Sequence, residues 1–322
     1  MTTKHLERHQ QLMKESFINN KMCYVEGCGA KTIKAHSITN NRHLIKISEE
    51  GMVSSLNTRT VPSNNIELIE VGRSKASTFR GFCVDHDSIF NPIDEYDYKP
   101  CDKNQEYLFA LRAHAKEYNA RIASDEAMSK IDTTFDVPEE NIARLRGTYH
   151  HFSKGTADQK LHRKIFNDTH RKGKYNAIDT LCLEVRDKEL PIVFSSSFNL
   201  ERNDRGEFIN DVSDLKSKMK PTFMTVFPQN GNTYCLISYF HRDRKSYAFL
   251  NKFKTKEQRE MEVLISNLIF AYGENFYINP RFWKTLDPTT KNKLSKIFAI
   301  SMSLDFVPLI ADPSFNLFEG IG

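Results

Sequence analysis

This chain lacks the marks of several common protein classes. No apolar run approaches the roughly 18–20 residues a membrane span requires, and the stretch FAISMSLDFVPLI is interrupted by Asp305 and Pro308. The opening, MTTKHLERHQQLMKESF, is polar and has no apolar h-region, so no signal peptide is expected. Cysteine is scarce. Six in 322 residues are too few, and too unevenly placed, for a disulfide scaffold. Cys101, Cys182 and Cys235 have no evident mates and read as buried thiols. A reducing compartment, and hence a soluble cytoplasmic protein without a membrane partner, is the expectation. There is no phosphate loop, dinucleotide fingerprint or HExxH motif, which argues against ATP-driven, NAD-dependent and zinc-protease chemistry. A dominant charge is missing as well: 46 basic against 41 acidic residues give a net +5, which permits a nucleic-acid partner without requiring one.

What is present suffices for a folded protein of about two domains. The apolar fraction is 39%, with 23 Phe and 12 Tyr to build a core. Residues 3–18 read as a short polar helix. From Cys23 to about Pro100 the chain is rich in loops, with short extended pieces such as IELIEV at 66–71 and a helix expected over 84–91, ended by Pro92. From Asn104 the pattern changes. Leu108, Leu111, Ala115, Tyr118 and Ile122 fall at helical spacing, and two further helical stretches, ENIARLRGTYHHF and DQKLHRKIFNDTHRK, follow. After Gly173 come strand-like runs rich in β-branched and aromatic residues: TLCLEV, PIVFSSSF and PTFMTVFPQNGNTYCLISYF. The last holds a hairpin cue at Asn230-Gly231. A helix is expected over roughly 254–272. The fold class expected is therefore α+β: a zinc-clasped module at 1–102, a helical connector at 103–174, and a mixed β-sheet domain with C-terminal helices at 175–322.

Four residues carry the most specific signal. Cys23 and Cys28 stand in MCYVEGCGAK, and Cys83 and His86 in GFCVDHDSIF. Thiolates plus an imidazole at such spacings suit a tetrahedral Zn2+. Gly27, Gly29 and Gly81 sit where a metal knuckle needs a curling backbone. His36, in KAHSIT, is a fifth candidate for four places. Either His86 completes the site and His36 is free, or the reverse; the two-residue gap to Cys83 favours His86.

Cys-x4-Cys, a histidine eight residues on, and Cys-x2-His opening a helix resemble the zinc-containing HNH (His-Me finger) nucleases. The resemblance covers residues 20–95 and implies a ββα-like module in which zinc clasps a β-hairpin and a helix. It further implies that His36 is the general base and that Asp87, with Asn91 one turn on, holds a catalytic Mg2+ or Mn2+. This chain departs from the family by having Ala35 where an Asp or His usually precedes the base. The Asn that orients the base is not identifiable, although Asn64 and Asn65 lie in the right interval. The string from AHSI to STFRGFCVDHDSIFNPID also looks like uncharacterised bacterial proteins, which adds no mechanism. Bacterial or phage conflict biology suits the architecture by analogy.

Outside this module, Arg163, Lys164, Arg171, Lys172 and Lys174 form a basic helical stretch suited to phosphate contact, with Tyr175 nearby for stacking; a solvated helix face accounts for it equally well. HRDRK at 241–245 reads as ordinary turn surface, Trp283 as a packing anchor, and the Ser195–Ser197 run lacks a nucleophile's glycine elbow. His150, His151 and His162 could bind metal, but the adjacent pair His150-His151 is discounted, since adjacent helical histidines diverge. The expected function is nucleic-acid binding, to DNA or RNA, with metal-dependent phosphodiester cleavage. The alternative is a non-catalytic zinc-stabilised module acting through protein or nucleic-acid contacts.

Overall fold

Strand runs buried on both faces need cover on each side, which helical layers supply. In the computed structural model the described residues are 11–12, 15–16, 22–57, 66–134, 139–211, 214, 216–273, 275–302 and 307–321, with backbone alone at 128, 131–134, 139–153 and 301–302. Residues 3–18, Asn64 and Asn65 therefore fall largely or wholly outside them. In chain order the strands are β1 (Ala35–His36), β2 (Met52–Leu56), β3 (Leu68–Gly72), β4 (Thr78–Phe79), β5 (Ile178–Val185), β6 (Ile192–Phe198), β7 (Thr222–Gln229), β8 (Asn232–Phe240) and β9 (Phe276–Ile278). The helices that matter here are α1 (Val84–Asp87), α2 (Asn91–Asp94), α3 (Lys103–Thr134), α4 (Glu139–Lys172), α5 (Gln258–Tyr272) and α6 (Pro288–Met302).

Seven strands form one sheet in the order β3-β2-β9-β6-β7-β8-β5, and β1 and β4 form a separate two-stranded ribbon. Every pairing is antiparallel, so the expectation of a mixed sheet is corrected. The tight β7–β8 turn dictates this locally. Asn230 at φ +53° and Gly231 at +82° give the two left-handed positions of a hairpin turn, and such a turn can join antiparallel strands only.

Side chains alternate cleanly across the sheet. Phe223 and Phe227 of β7, with Leu236 and Phe240 of β8, pack on one face against Tyr107, Leu108, Leu111, Ala115 and Tyr118 of α3. Met224, Val226, Cys235 and Ile237 point the other way, onto Leu264, Ile265, Leu268 and Ile269 of α5 and Leu294 and Ile297 of α6. Helix α5 opens with a reciprocal capping box between Glu257 and Glu260. Of the positions predicted for the helical face at 108–122, Leu108, Leu111, Ala115 and Tyr118 are buried and Ile122 half-buried, but α3 is buried all round over residues 105–115.

Three local expectations change. The two helical stretches after residue 138 are one continuous helix, α4. Pro92 does not end the helix after Cys83; it sits in the first turn of α2, where its missing N–H costs nothing. The strands of residues 52–72 join the seven-stranded sheet through β9, so the segment between His36 and Thr78 reaches into the C-terminal half. Cys23 and Cys83, with Cys28 packed against them, share one core with α3 and the inner sheet face.

Candidate metal centre

The first knuckle is shaped by Gly27, at φ +78°, a conformation glycine adopts without steric cost. The Cys28 amide donates to the Val25 carbonyl at 3.3 Å, closing the turn that aims both thiols inward. Two backbone bonds dock this knuckle on the second: Tyr24 N–H to Gly81 O at 2.6 Å and Ile33 N–H to Phe82 O at 2.8 Å. A side chain at Gly81 would place its Cβ 2.2 Å from the Phe79 ring, so the approach depends on glycine. Cys83 is the N-cap of α1, and one helical turn brings His86 to the same side.

The ligand atoms of Cys23, Cys28, Cys83 and His86 lie within 4.8 Å of one another. Cys28 Sγ is 3.8 Å from Cys83 Sγ, Cys23 Sγ is 3.5 Å from His86 Nδ1, and Cys83 Sγ is 3.2 Å from His86 Nδ1. A tetrahedron with Zn–S of about 2.3 Å and Zn–N of about 2.0–2.1 Å has edges of about 3.8 Å between sulfurs and about 3.5 Å between sulfur and nitrogen. The cluster matches that spacing, and its sulfurs are too far apart for a disulfide, which needs about 2.05 Å. Burial pushes the Cys23 thiol up to about 11, while the Ala30 amide draws the Cys28 thiol below its ordinary value. A buried thiolate at Cys23 therefore needs a cation beside it. Three sulfurs and one imidazole can hold a metal such as zinc, and His86 is the histidine in the group; His36 is not among the four.

His36 lies on β1, half-buried and opposite Thr78. Its Nδ1 meets the Ala76 carbonyl at 3.0 Å and Ser77 Oγ at 3.2 Å. A carbonyl can only accept, so Nδ1 carries the proton and Nε2 keeps its lone pair. Burial lowers the His36 pKa below its ordinary value, which keeps the ring neutral near pH 7. Asp87 ends α1, half-buried; burial raises its carboxyl, with the Arg112 charge opposing and Asp94 adding to the rise. Asn91 opens α2 and is exposed.

Sequence reasoning missed the groups around these residues. Arg112, on α3, grips Asp94 with two 2.7 Å bonds and reaches Thr39 Oγ1 at 3.2 Å, with its guanidinium 4.1 Å over the Phe90 ring. Burial alone would raise Asp94, but Arg112 outweighs it and holds the carboxyl below its usual range. The signal for Arg112 was a cation inside the apolar run FALRAHA. Nothing in the string marked Ala76 and Ser77 as the holders of His36.

The basic helical stretch divides in two. Arg163 turns inward, donating to Tyr24 O at 2.6 Å, Cys23 O at 3.3 Å and Tyr118 Oη at 3.3 Å, so it braces the first knuckle. Lys164 and Arg171 are exposed and both bond Asp168, at 3.1 Å and 2.7 Å. Lys172 and Lys174 are exposed beyond them, whereas Tyr175 packs its ring 4.9 Å from that of Tyr107. His162 is buried, bonded to the Met219 carbonyl at 3.2 Å and away from the cluster of four. The side chains of His150 and His151 lie outside the described residues. Among the described residues no helix is long and apolar enough to cross a membrane.

No family model, curated protein or solved structure matches the chain.

Proposed function

We propose that this protein binds nucleic acid and hydrolyses phosphodiesters through an HNH-like centre pinned by zinc. The observation that carries the reading is His36: a strand histidine whose Nδ1–H is tied to a backbone carbonyl, leaving Nε2 as an acceptor for a proton. Support comes also from the order of parts: a ribbon strand bearing the base, a second ribbon strand, then the helix bearing the second ligand pair and Asp87. His36 and Asp87 both feel the charges of Arg112 and Asp94, which puts them in one electrostatic neighbourhood. In this reading His36 takes the proton of the attacking water, and Asp87 with Asn91 would hold Mg2+ or Mn2+. When bound, that ion would stabilise the leaving oxygen. Lys164, Arg171, Lys172 and Lys174 would contact the phosphate backbone.

A second reading has one specific observation in its favour. Asp94, a further carboxylate whose charge reaches Asp87, is neutralised by Arg112, so a divalent cation would have little beyond Asp87 to bind it. The chain would then be a zinc-stabilised binding module acting through nucleic-acid or protein contacts.

Incubation of the purified protein with plasmid DNA and with RNA, each with and without Mg2+ or Mn2+, separates the two. Metal-dependent cutting that His36→Ala abolishes while zinc stays bound supports the first. Salt-dependent retention without cutting supports the second, and neither cutting nor retention at low salt defeats the nucleic-acid readings.

A further inference from the structure

Ser77 is a buried non-glycine residue at φ +58°, a left-handed backbone that side chains rarely adopt. Such a residue persists where its surroundings over-determine it, and it clusters at functional sites. Its hydroxyl donates to Ile38 O at 3.1 Å and accepts from Ile38 N–H at 3.3 Å, and its carbonyl accepts from Ser37 N–H at 2.9 Å and Ser37 Oγ at 3.0 Å. The remaining backbone group, the Ser77 N–H, donates to Tyr277 Oη at 2.6 Å. Tyr277 is the middle residue of β9, held in register between Ser55 of β2 and Val193 of β6. Two residues earlier, the Asn275 amide donates to Ser37 Oγ at 3.1 Å and to Ser195 O at 2.6 Å. One short segment of the C-terminal half thus grips the chain on both sides of His36: Ser37 beside it in sequence, and Ser77 against its ring.

We propose that Tyr277 is a positioning residue for His36. By accepting the Ser77 amide it keeps that residue left-handed, which holds the Ala76 carbonyl and the Ser77 hydroxyl on Nδ1 and leaves Nε2 proton-free. This rests on the reading of His36 as a base, and it makes the large sheet part of the active centre. Removing the hydroxyl leaves the Ser77 amide without an acceptor, lets the turn relax toward φ < 0, and releases the imidazole to take up either tautomer.

The test uses full-length, zinc-loaded protein with 15N-labelled histidine, because the ring nitrogen correlations report the tautomer directly. Wild type is expected to show His36 in the Nδ1–H form. Tyr277→Phe keeps the ring in the sheet and is expected to raise the Nε2–H form from a minor to a major species. Ser77→Ala, which removes the hydroxyl touching the ring, is expected to do the same and serves if Tyr277→Phe fails to fold. Tyr272→Phe, which loses a tyrosine hydroxyl bonded to the Val307 carbonyl elsewhere in the same half, is expected to leave the His36 signals unchanged. A wild-type His36 signature in either of the first two folded variants overturns the proposal. If the wild type cleaves, Tyr277→Phe is expected to lower kcat on the order of ten- to a hundredfold with KM unchanged, and an unchanged kcat also overturns it. A wild type that does not cleave removes the nuclease reading alone, and the tautomer measurement still decides this one.

Discussion

Arg112 and Asp94 form a bidentate ion pair whose charges reach both His36 and Asp87, with both bonds at 2.7 Å and the Arg112 side chain only 4% exposed. The pair joins α3 to α2, and through Thr39 it also reaches the loop after β1, so it ties the His36 segment to the helix that follows the ligands.

Breaking one partner leaves the other charge in a poor environment. Arg112→Gln is expected to destabilise the protein by about 2–4 kcal/mol, toward the low end because Asp94 keeps 32% of its side chain exposed. Asp94→Asn should cost at least as much, since it strands the more deeply buried partner. Urea unfolding of both variants and of the double variant gives the coupling energy. Strict additivity in that cycle would contradict a direct interaction.

Acid should weaken this protein earlier than carboxylates alone would. His43 stacks 4.4 Å from Phe227 and is fully buried, and burial lowers its pKa to about 3; His162, also buried, is lowered to about 4. Both take up protons in the unfolded chain near 6.5 but not in the folded one. Their contribution is present above pH 6.5 and is lost as pH falls through the window from 6.5 toward the folded values, at up to about 1.4 kcal/mol per pH unit each. Thermal melts from pH 7 to 4.5 should show this slope, and His43→Phe should flatten part of it. A melting temperature constant over that range would contradict the assignment.

Gly81→Ala puts a methyl group against the Phe79 ring at 2.2 Å, in the strand end that docks the two knuckles. A loss of about 1–3 kcal/mol and weaker metal retention under a competing chelator are expected. Gly29→Ala, where no atom lies within 4 Å and φ is not left-handed, is the control and should behave as wild type.

How much of this was legible in the string follows from what each signal depends on. The cluster of Cys23, Cys28, Cys83 and His86 was readable because metal chemistry restricts residue type and spacing tightly, and Cys83-x-x-His86 needs only one helical turn. Helix α3 was readable because Leu108, Leu111, Ala115 and Tyr118 recur at helical spacing, although residues 105–115 are buried all round and the string did not show that. The sheet's antiparallel course beyond the hairpin was not, because strands buried on both faces carry no alternation of polar and apolar residues to reveal their neighbours. The junction of β2 and β3 with β9 joins residues more than two hundred positions apart and has no local signature. The surroundings of His36 were hidden for the same reason: Ser77 and Tyr277 are ordinary residues in sequence, and only the fold brings them together. Arg163 was read as a phosphate contact or a solvated helix face because a basic helical run looks alike whether its side chains face outward or, as here, reach the carbonyls of Cys23 and Tyr24.

The clasp itself is best tested by zinc-edge X-ray absorption on the purified full-length protein. One zinc per chain is expected, with about three sulfur neighbours near 2.3 Å and one nitrogen near 2.0–2.1 Å, reduced to two sulfurs or lost altogether in Cys83→Ser. A protein that folds fully without metal, or a shell made only of nitrogen and oxygen, would contradict it.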